Sequence, residues 1–187
     1  MFFSRQPTPL KDETQEMAAQ LLLTPTALAD MSEADARTVT CFMQLRRVAA
    51  DAVFIREGEG AENAFMMLIL EGDVAVESEV VPIQESMVIS IMGPGSLIGE
   101  MGLMDGAPRS ATCTASSDLK VAVLSREGLS QLINKHPAVA ARFLLAIAKR
   151  LSDRLREANR KVKTFAGLSR ALQAELDASH ARPDPRP

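Results

Sequence analysis

Between residues 41 and 125, apolar and β-branched residues come in short runs that turn residues separate. Turns such as Glu71-Gly72-Asp73 and Gly93-Pro94-Gly95 recur at a spacing of roughly 8–12 residues, which is typical of an all-β sandwich or barrel. The predicted strands are Met43–Val48, Val53–Arg56, Phe65–Leu70, Val74–Val81, Met87–Met92, Ser110–Ala115 and Lys120–Leu124.

Helical patterns flank this β-rich region on both sides. We expect a short helix capped by Asp12 and a second helix capped by Ser32, because a short polar side chain can accept a bond from the first turn. After the strands, Ser125 is the predicted cap of a helix that runs through Ile133. Pro137 suits the first turn of a much longer helix.

The long C-terminal helix carries an apolar seam whose spacings alternate between four and three residues. Such a seam is the signature of a coiled coil, so we predict a parallel homodimer through this helix. Packing of its first two turns on the chain's own barrel is the alternative. The seam positions are Leu144, Ala148, Leu151, Leu155, Ala158, Val162, Phe165, Ser169, Leu172 and Leu176.

The composition narrows the classes of protein that are possible. The 187 residues are 47% apolar and 24% charged, with a net charge of −3, which gives no general attraction to nucleic acid or acidic membranes. No apolar run reaches the ~18 residues of a membrane span, and the N-terminus lacks a secretory apolar region. Only Cys41 and Cys113 are present, and we expect both to be buried. The predicted location is cytoplasmic.

The same patterns predict where the parts of the chain begin and end. We expect an N-terminal helical extension over residues 1–30 and a β-barrel with short helices over 31–136. Residues 137–180 are predicted to form the long helix. The Pro-rich tail 181–187 is predicted to be disordered, because its prolines cannot hold a helix.

One segment within the β-rich region has the composition of a binding loop. A helical turn is predicted to start at Gly99 and to close at Asp105-Gly106, and the amides at such a start can hold a phosphate. Arg109 supplies a permanent charge with paired donors, and Ser110 adds a hydroxyl. The Glu100 carboxylate would repel a phosphate, so we expect it to bind a different group, such as a sugar hydroxyl. The residues alone leave an anion site and a surface ion pair both open.

This segment closely resembles the phosphate-binding cassette of cyclic-nucleotide-binding domains. That family includes catabolite-activator-type regulators, protein kinase A regulatory subunits and cyclic-nucleotide-gated channels. The resemblance covers about residues 30–163 and implies a mainly β fold, an eight-stranded jelly-roll barrel with N-terminal helices and a long C-terminal helix. The matching pieces are Gly99-Glu100-Met101-Gly102-Leu103 and Pro108-Arg109-Ser110-Ala111-Thr112.

The resemblance also implies a role for individual residues. Glu100 would take the ribose 2′-hydroxyl and Arg109 the cyclic phosphate, with amides of Gly99 and Ser110 beside it. Ser110 after the arginine favours cAMP, with cGMP as the alternative ligand. Arg154 of the long helix falls near the position that meets the purine, where a guanidinium can stack. The complete ligand-binding set is Gly99, Glu100, Met101, Gly102, Arg109, Ser110, Ala111 and Arg154.

Other functions find less support in the sequence. There is no phosphate loop ending in Lys-Ser or Lys-Thr, and the two histidines, His136 and His180, lie far apart, so we expect no catalytic, metal or cofactor site. We expect no direct DNA binding and no membrane contact. The expected partner is an unidentified effector protein. A structural dimerisation module without ligand, or the sensor part of a larger transcription regulator, are the alternative functions.

Overall fold

The strands lie in two antiparallel sheets. The computed structural model describes residues 8–60, 64–80 and 85–180; the predictions for the start of the chain and for the tail 181–187 lie outside these ranges. The strands are β1 (Thr8–Pro9), β2 (Gln44–Val48), β3 (Val53–Ile55), β4 (Phe65–Glu71), β5 (Val74–Val80), β6 (Glu85–Met92), β7 (Leu97–Ile98), β8 (Thr112–Ala115) and β9 (Leu119–Ser125). One sheet has the order β1-β2-β9-β4-β7 and the other β3-β8-β5-β6.

The strand prediction is confirmed with small shifts of the ends. Strands β2–β9 are the eight strands of the expected jelly roll, and β7 is the one that sequence reasoning did not separate from its neighbours. The two-residue β1 precedes the first helix and pairs with β2 at Thr8–Leu45. Mainly β architecture with flanking helices is therefore confirmed.

The apolar core lies between the two sheets. Alternate residues of β4, such as Met67 and Ile69, join Val121 of β9 and Val74 of β5 in one buried cluster. The other face of β4 is buried as well, and helix α1 (Asp12–Leu22) packs on this strand, which explains the unbroken apolar run of β4. Cys113 belongs to this core and is 3% exposed.

Two predictions about the first 45 residues need correction. Helix α1 (Asp12–Leu22) begins at Asp12 with Lys11 as N-cap, so Asp12 occupies the first turn and makes no cap bond. Cys41, the residue that follows helix α2 (Glu33–Thr40), is exposed rather than buried. The predicted cap of α2 is confirmed: the Ser32 hydroxyl accepts from Asp35 N at 3.2 Å.

The C-terminal helices begin where the sequence predicts. Ser125 caps α4 (Arg126–Lys135), which ends two residues after the predicted Ile133, and α5 (Pro137–His180) starts at Pro137. The chain divides into two compact units, Met1–Ile147 and Ala148–Pro187, so their boundary falls inside α5. The four domain limits predicted from the sequence stay a prediction. Among the described helices, none is long and apolar enough to cross a bilayer.

The first turns of α5 pack within the first unit, as the alternative interpretation of the seam allows. Ala140, Phe143 and Ile147 are buried, whereas Leu144 of the predicted seam is only half-buried. In the second unit Leu151 of the seam is half-buried, and the five large seam residues that follow it are exposed. These are Leu155, Val162, Phe165, Leu172 and Leu176.

Candidate functional site

A short helix between β7 and β8 forms the centre of the site. Helix α3 (Glu100–Asp105) is bracketed by two glycines in the left-handed region, Gly99 at φ 79° and Gly106 at φ 69°. Glycine adopts this backbone without the penalty that a side chain brings. The predicted helical turn, starting at Gly99 and closing at Asp105-Gly106, is confirmed.

Arg109 lies against the start of α3 rather than pointing into solvent. Its Nη1 atom donates to Phe65 O at 3.0 Å and to Gly99 O at 3.1 Å. The guanidinium carbon is 4.4 Å from the centroid of the Phe65 ring, a distance typical of a cation–π contact. Arg109 thereby joins β4 to the N-terminal end of α3.

The glycines of α3 make room for the Arg109 side chain. A Cβ atom on Gly99 would lie 2.8 Å from Arg109 Nη1 and 2.8 Å from Phe65 O, and one on Gly102 would lie 3.3 Å from the same Nη1. In the structure, Arg109 Nη1 and the Phe65 carbonyl oxygen occupy the space that a side chain at Gly99 would take.

The main chain of Arg109 is fixed by the turn after β3. Arg109 N donates to Glu59 O at 3.0 Å, and Gly58 N donates to Arg109 O at 2.8 Å. Beside them, Glu57 N donates to the Thr112 hydroxyl at 3.1 Å. The backbone of residues 57–59 therefore holds the arginine and the start of the following strand in place.

Two opposite charges are buried at this site. Glu100 is 2% exposed and Arg109 is 8% exposed. Burial lowers the pKa of Arg109, while the negative charges of Glu59 and Glu100 act in the opposite direction. The guanidinium nevertheless stays protonated, since arginine titrates far above neutral pH.

The other predicted site residues lie around α3 and the following loop. Met101 is exposed, and the Ser110 hydroxyl is 4.0 Å from its sulfur. Gly102 is buried and Ala111 is half-buried. Seven of the eight predicted residues thus come together, within a single stretch of chain. Arg154 belongs to the second compact unit, is exposed, and keeps its role only as a prediction.

Two residues of the site were missed by sequence reasoning. Phe65 supplies both the ring and the carbonyl that contact Arg109. Arg126, the first residue of α4, places Nη2 3.5 Å from Gly102 O and so connects α4 with α3. Nothing in the sequence pairs either residue with the loop, because each lies many positions away along the chain.

Comparison with known proteins agrees with this geometry. A family model described as the cyclic nucleotide-binding domain matches residues 45–136. A solved cyclic nucleotide-binding domain from Methylobacillus flagellatus is 31% identical, with a TM-score of 0.69, over 81% of this chain and 84% of that one. The chain belongs to the cyclic nucleotide-binding domain family. The resemblance drawn from the cassette residues is therefore confirmed.

Curated members of the cyclic nucleotide-binding family match over shorter stretches. A cyclic nucleotide-gated potassium channel of Mesorhizobium japonicum is 33% identical over 101 residues, which are 54% of this chain and 26% of the channel. The cyclic AMP receptor protein of Thermus thermophilus is 36% identical over 69 residues, 37% of this chain and 32% of the receptor. The chain thus matches about a third or less of these relatives. The family is one of regulatory binding domains.

Proposed function

We propose that the chain is a cyclic nucleotide sensor, with cAMP as the preferred ligand and the cassette around α3 as its site. The observation that carries this proposal is the state of Arg109, a buried cation whose side chain bonds to neutral carbonyls. Among the described residues no carboxylate forms an ion pair with it, and its Nε and Nη2 make no hydrogen bond there.

A buried charge of this kind is stabilised by an anion. Removing a guanidinium from water costs free energy that bonds to neutral carbonyls offset only in part. The Nε and Nη2 edge is the pair of donors that binds two oxygens of one phosphate. A cyclic phosphate carries one negative charge, which matches the single positive charge of Arg109.

Glu100 suits the sugar of the same ligand. Its carboxylate accepts hydrogen bonds and repels a phosphate, so the favourable partner is a hydroxyl group such as the ribose 2′-hydroxyl. Gly99, Gly102, Met101, Ser110 and Ala111 would surround the phosphate and ribose. The exposed hydroxyl of Ser110 lies next to Arg109 in the chain and would donate to a phosphate oxygen.

Two further observations favour cAMP over cGMP as the ligand. Ser110 stands where cGMP-preferring members of the family often have threonine, and the related Thermus protein is named for cyclic AMP. Arg154 would stack on the purine from the long helix. A dimerisation module that binds no nucleotide is the competing function. Titration with cAMP and cGMP distinguishes it from a sensor.

The output would pass through α5 and a homodimer to an effector protein. Arg126 joins α3 to α4, and α4 leads directly into α5, so movement of the cassette would reach the long helix. Ligand binding can shift the equilibrium between two arrangements of α5 only as far as the affinities of these arrangements for the ligand differ. The exposed apolar seam of the second unit would be buried in the dimer.

Titration calorimetry of the purified chain with cAMP and with cGMP tests the proposal. We expect binding of cAMP, and Arg109→Gln should weaken it by about 10- to 150-fold, because a bond to a charged group contributes about 1.5–3 kcal/mol. Glu100→Gln should weaken it in the same range. Arg47→Gln removes an equal charge from an exposed position of β2 and should leave the affinity unchanged.

If the wild-type chain binds neither nucleotide, the sensor proposal is wrong and the dimerisation module becomes the proposed function. Tighter binding of cGMP than of cAMP would overturn the ligand preference alone. Because Arg109 also bonds to Phe65 and Gly99, thermal unfolding of each variant is measured first. Arg109→Lys, which keeps the charge but loses the paired donors, provides a folded comparison if Arg109→Gln unfolds.

A further inference from the structure

A pocket lies apart from the cassette, among the helices α1, α2 and α4. Its volume is about 500 Å³, within the range of about 300–1,000 Å³ that small-molecule sites occupy. Helices α1, α2 and α4 line it, and no residue of the segment 99–111 takes part. Its cationic, amide and imidazole lining residues are Gln15, Arg37, Gln131, Lys135 and His136.

The lining of this pocket has the chemistry of an anion site. It contains the cations Arg37 and Lys135 and no aspartate or glutamate. Arg37 donates to both carboxylate oxygens of Glu16, through Nε at 2.9 Å and Nη2 at 3.0 Å, and Nη2 also lies 3.4 Å from Glu33. Within the described residues its Nη1 group makes no hydrogen bond. Glu16 and Glu33 bind Arg37 but do not line the pocket. Arg37 Nη1 and the Lys135 ammonium are therefore the donors that can bind an anion.

One wall of the pocket is aromatic and held in place. The His136 ring meets Phe42 edge-on at 5.8 Å between centroids, and Lys135 Nζ is 5.9 Å from the Phe42 centroid. Phe42 itself is fixed against α4, where a Cβ on Gly128 would lie 2.8 Å from Phe42 O. The wall thus offers a carbon skeleton an apolar surface beside the two cations.

We propose that this pocket binds a small organic anion, with Arg37 and Lys135 holding its carboxylate or phosphate groups and Phe42 facing its carbon skeleton. The amides of Gln15 and Gln131 are further donors at the rim, although Gln15 Nε2 contacts Cys41 Sγ at 3.0 Å and Gln131 Nε2 contacts Glu127 at 3.4 Å. Carboxylates and phosphate esters share the chemistry that these donors recognise, and one anion of each class distinguishes them in the experiment.

Cys41 supplies a reporter inside the pocket. It lines the cavity and is exposed, whereas Cys113 is buried in the barrel core. The rate at which iodoacetamide alkylates Cys41, followed by intact mass, is measured with citrate, with glycerol 3-phosphate, and with sodium chloride at equal ionic strength. At about ten times its Kd, an anion leaves about a tenth of the pocket free, so alkylation should slow about tenfold.

Variants make the test specific to the pocket. Lys135→Gln, at an exposed position of α4, should remove most of the protection, and Lys120→Gln on β9 should leave it intact. Protection by citrate alone would assign carboxylates, and protection by glycerol 3-phosphate alone would assign phosphate esters. Wild-type protection by neither anion, or equal protection of Lys135→Gln, overturns the proposal. Arg109→Gln should keep the protection, so this result does not depend on the cyclic nucleotide site.

Discussion

The guanidinium of Arg109 lies directly against the main chain of Gly99, with Nη1 3.1 Å from the Gly99 carbonyl oxygen. This contact is possible because Gly99 has no side chain and adopts φ 79°. The residue that opens α3 and the residue proposed to bind phosphate are therefore packed as one unit. A change at Gly99 must move Arg109, even though ten positions separate them.

Gly99→Ala should destabilise the fold and displace Arg109. The left-handed backbone costs alanine about 1–2 kcal/mol, and the new Cβ would be 2.8 Å from both Arg109 Nη1 and the Phe65 carbonyl oxygen. With the overpacking included, we expect a loss of about 3 kcal/mol in the free energy of unfolding. Urea unfolding followed by circular dichroism measures it.

Gly58→Ala is the matched control for this prediction. Gly58 has φ 77°, but no atom lies within 4 Å of the position that a Cβ would take, so only the backbone cost applies. It should lose about 1–2 kcal/mol. If the two variants lose equal stability, contact with Arg109 contributes nothing at Gly99.

Asp35 should make the fold sensitive to acid. Arg142 donates to both of its carboxylate oxygens at 2.6 Å, and this bonding lowers the pKa of Asp35 below its ordinary value. A lowered pKa gives stability that is present above the ordinary pKa and lost as pH falls through the folded one. Unfolding between about pH 6 and about pH 3 should therefore show a smaller loss of stability in Asp35→Asn than in the wild type.

Asp12→Asn provides the comparison, since Asp12 is an exposed residue in the first turn of α1. It should lose stability on acidification as the wild type does. An Asp35→Asn variant with the wild-type pH dependence would show that the bond between α2 and α5 is not what acid breaks. The two substitutions remove the same charge, so net charge does not confuse the comparison.

The buried thiol of Cys113 should make the fold less stable as pH rises, whereas the Asp35 carboxylate makes it less stable as pH falls. Burial raises the pKa of Cys113 to about 12. The unfolded chain then loses this proton before the folded chain does, so stability falls as pH rises from the ordinary thiol pKa toward the raised one. Between neutral pH and about pH 10.5, Cys113→Ala should lose less stability than the wild type in urea unfolding. Equal losses would contradict the assignment to Cys113.

The exposed seam of α5 should carry the proposed dimer. Leu155 is 63% exposed and Leu172 is 61% exposed, and both lie on the heptad positions. Two aspartates there would place charge inside a coiled-coil interface, so Leu155→Asp with Leu172→Asp should shift the chain to a monomer in sedimentation velocity.

A second pair of leucines tests whether position on the helix matters. Leu145 and Leu168 are exposed to a similar degree but lie off the heptad seam. Leu145→Asp with Leu168→Asp should leave the dimer intact. Dissociation by both double variants, or by neither, would place the interface elsewhere.

Local features of this protein could be predicted from its sequence. The caps Ser32 and Ser125, the glycine-bounded turn at Gly99 and the start of α5 at Pro137 depend on residues within one or two turns of each other. The strands follow from runs of apolar residues, whose pairing buries them. The cassette was identified because seven of its predicted residues lie in one short stretch.

Contacts between distant parts of the chain needed the folded arrangement. Phe65 meets Arg109 across 44 positions, and Asp35 meets Arg142 across 107, and no local pattern specifies such partners. The same reason explains why Cys41 was wrongly predicted to be buried: its exposure depends on how α2 packs against elements that lie elsewhere in the chain, such as α1.

The order of the helices and of the longer strands, the family and the stretch that forms the cassette follow from the amino-acid sequence without knowledge of the fold, whereas the two-residue strands β1 and β7 do not. Packing of the elements against one another settles two other features. Arg109 turns inward onto Gly99 and Phe65 as a buried cation, and residues of α1, α2 and α4 line a pocket that contains Arg37 and Lys135. The difference arises because helices, turns and strands are encoded over a few neighbouring residues, whereas burial and electrostatic environment depend on contacts between distant elements.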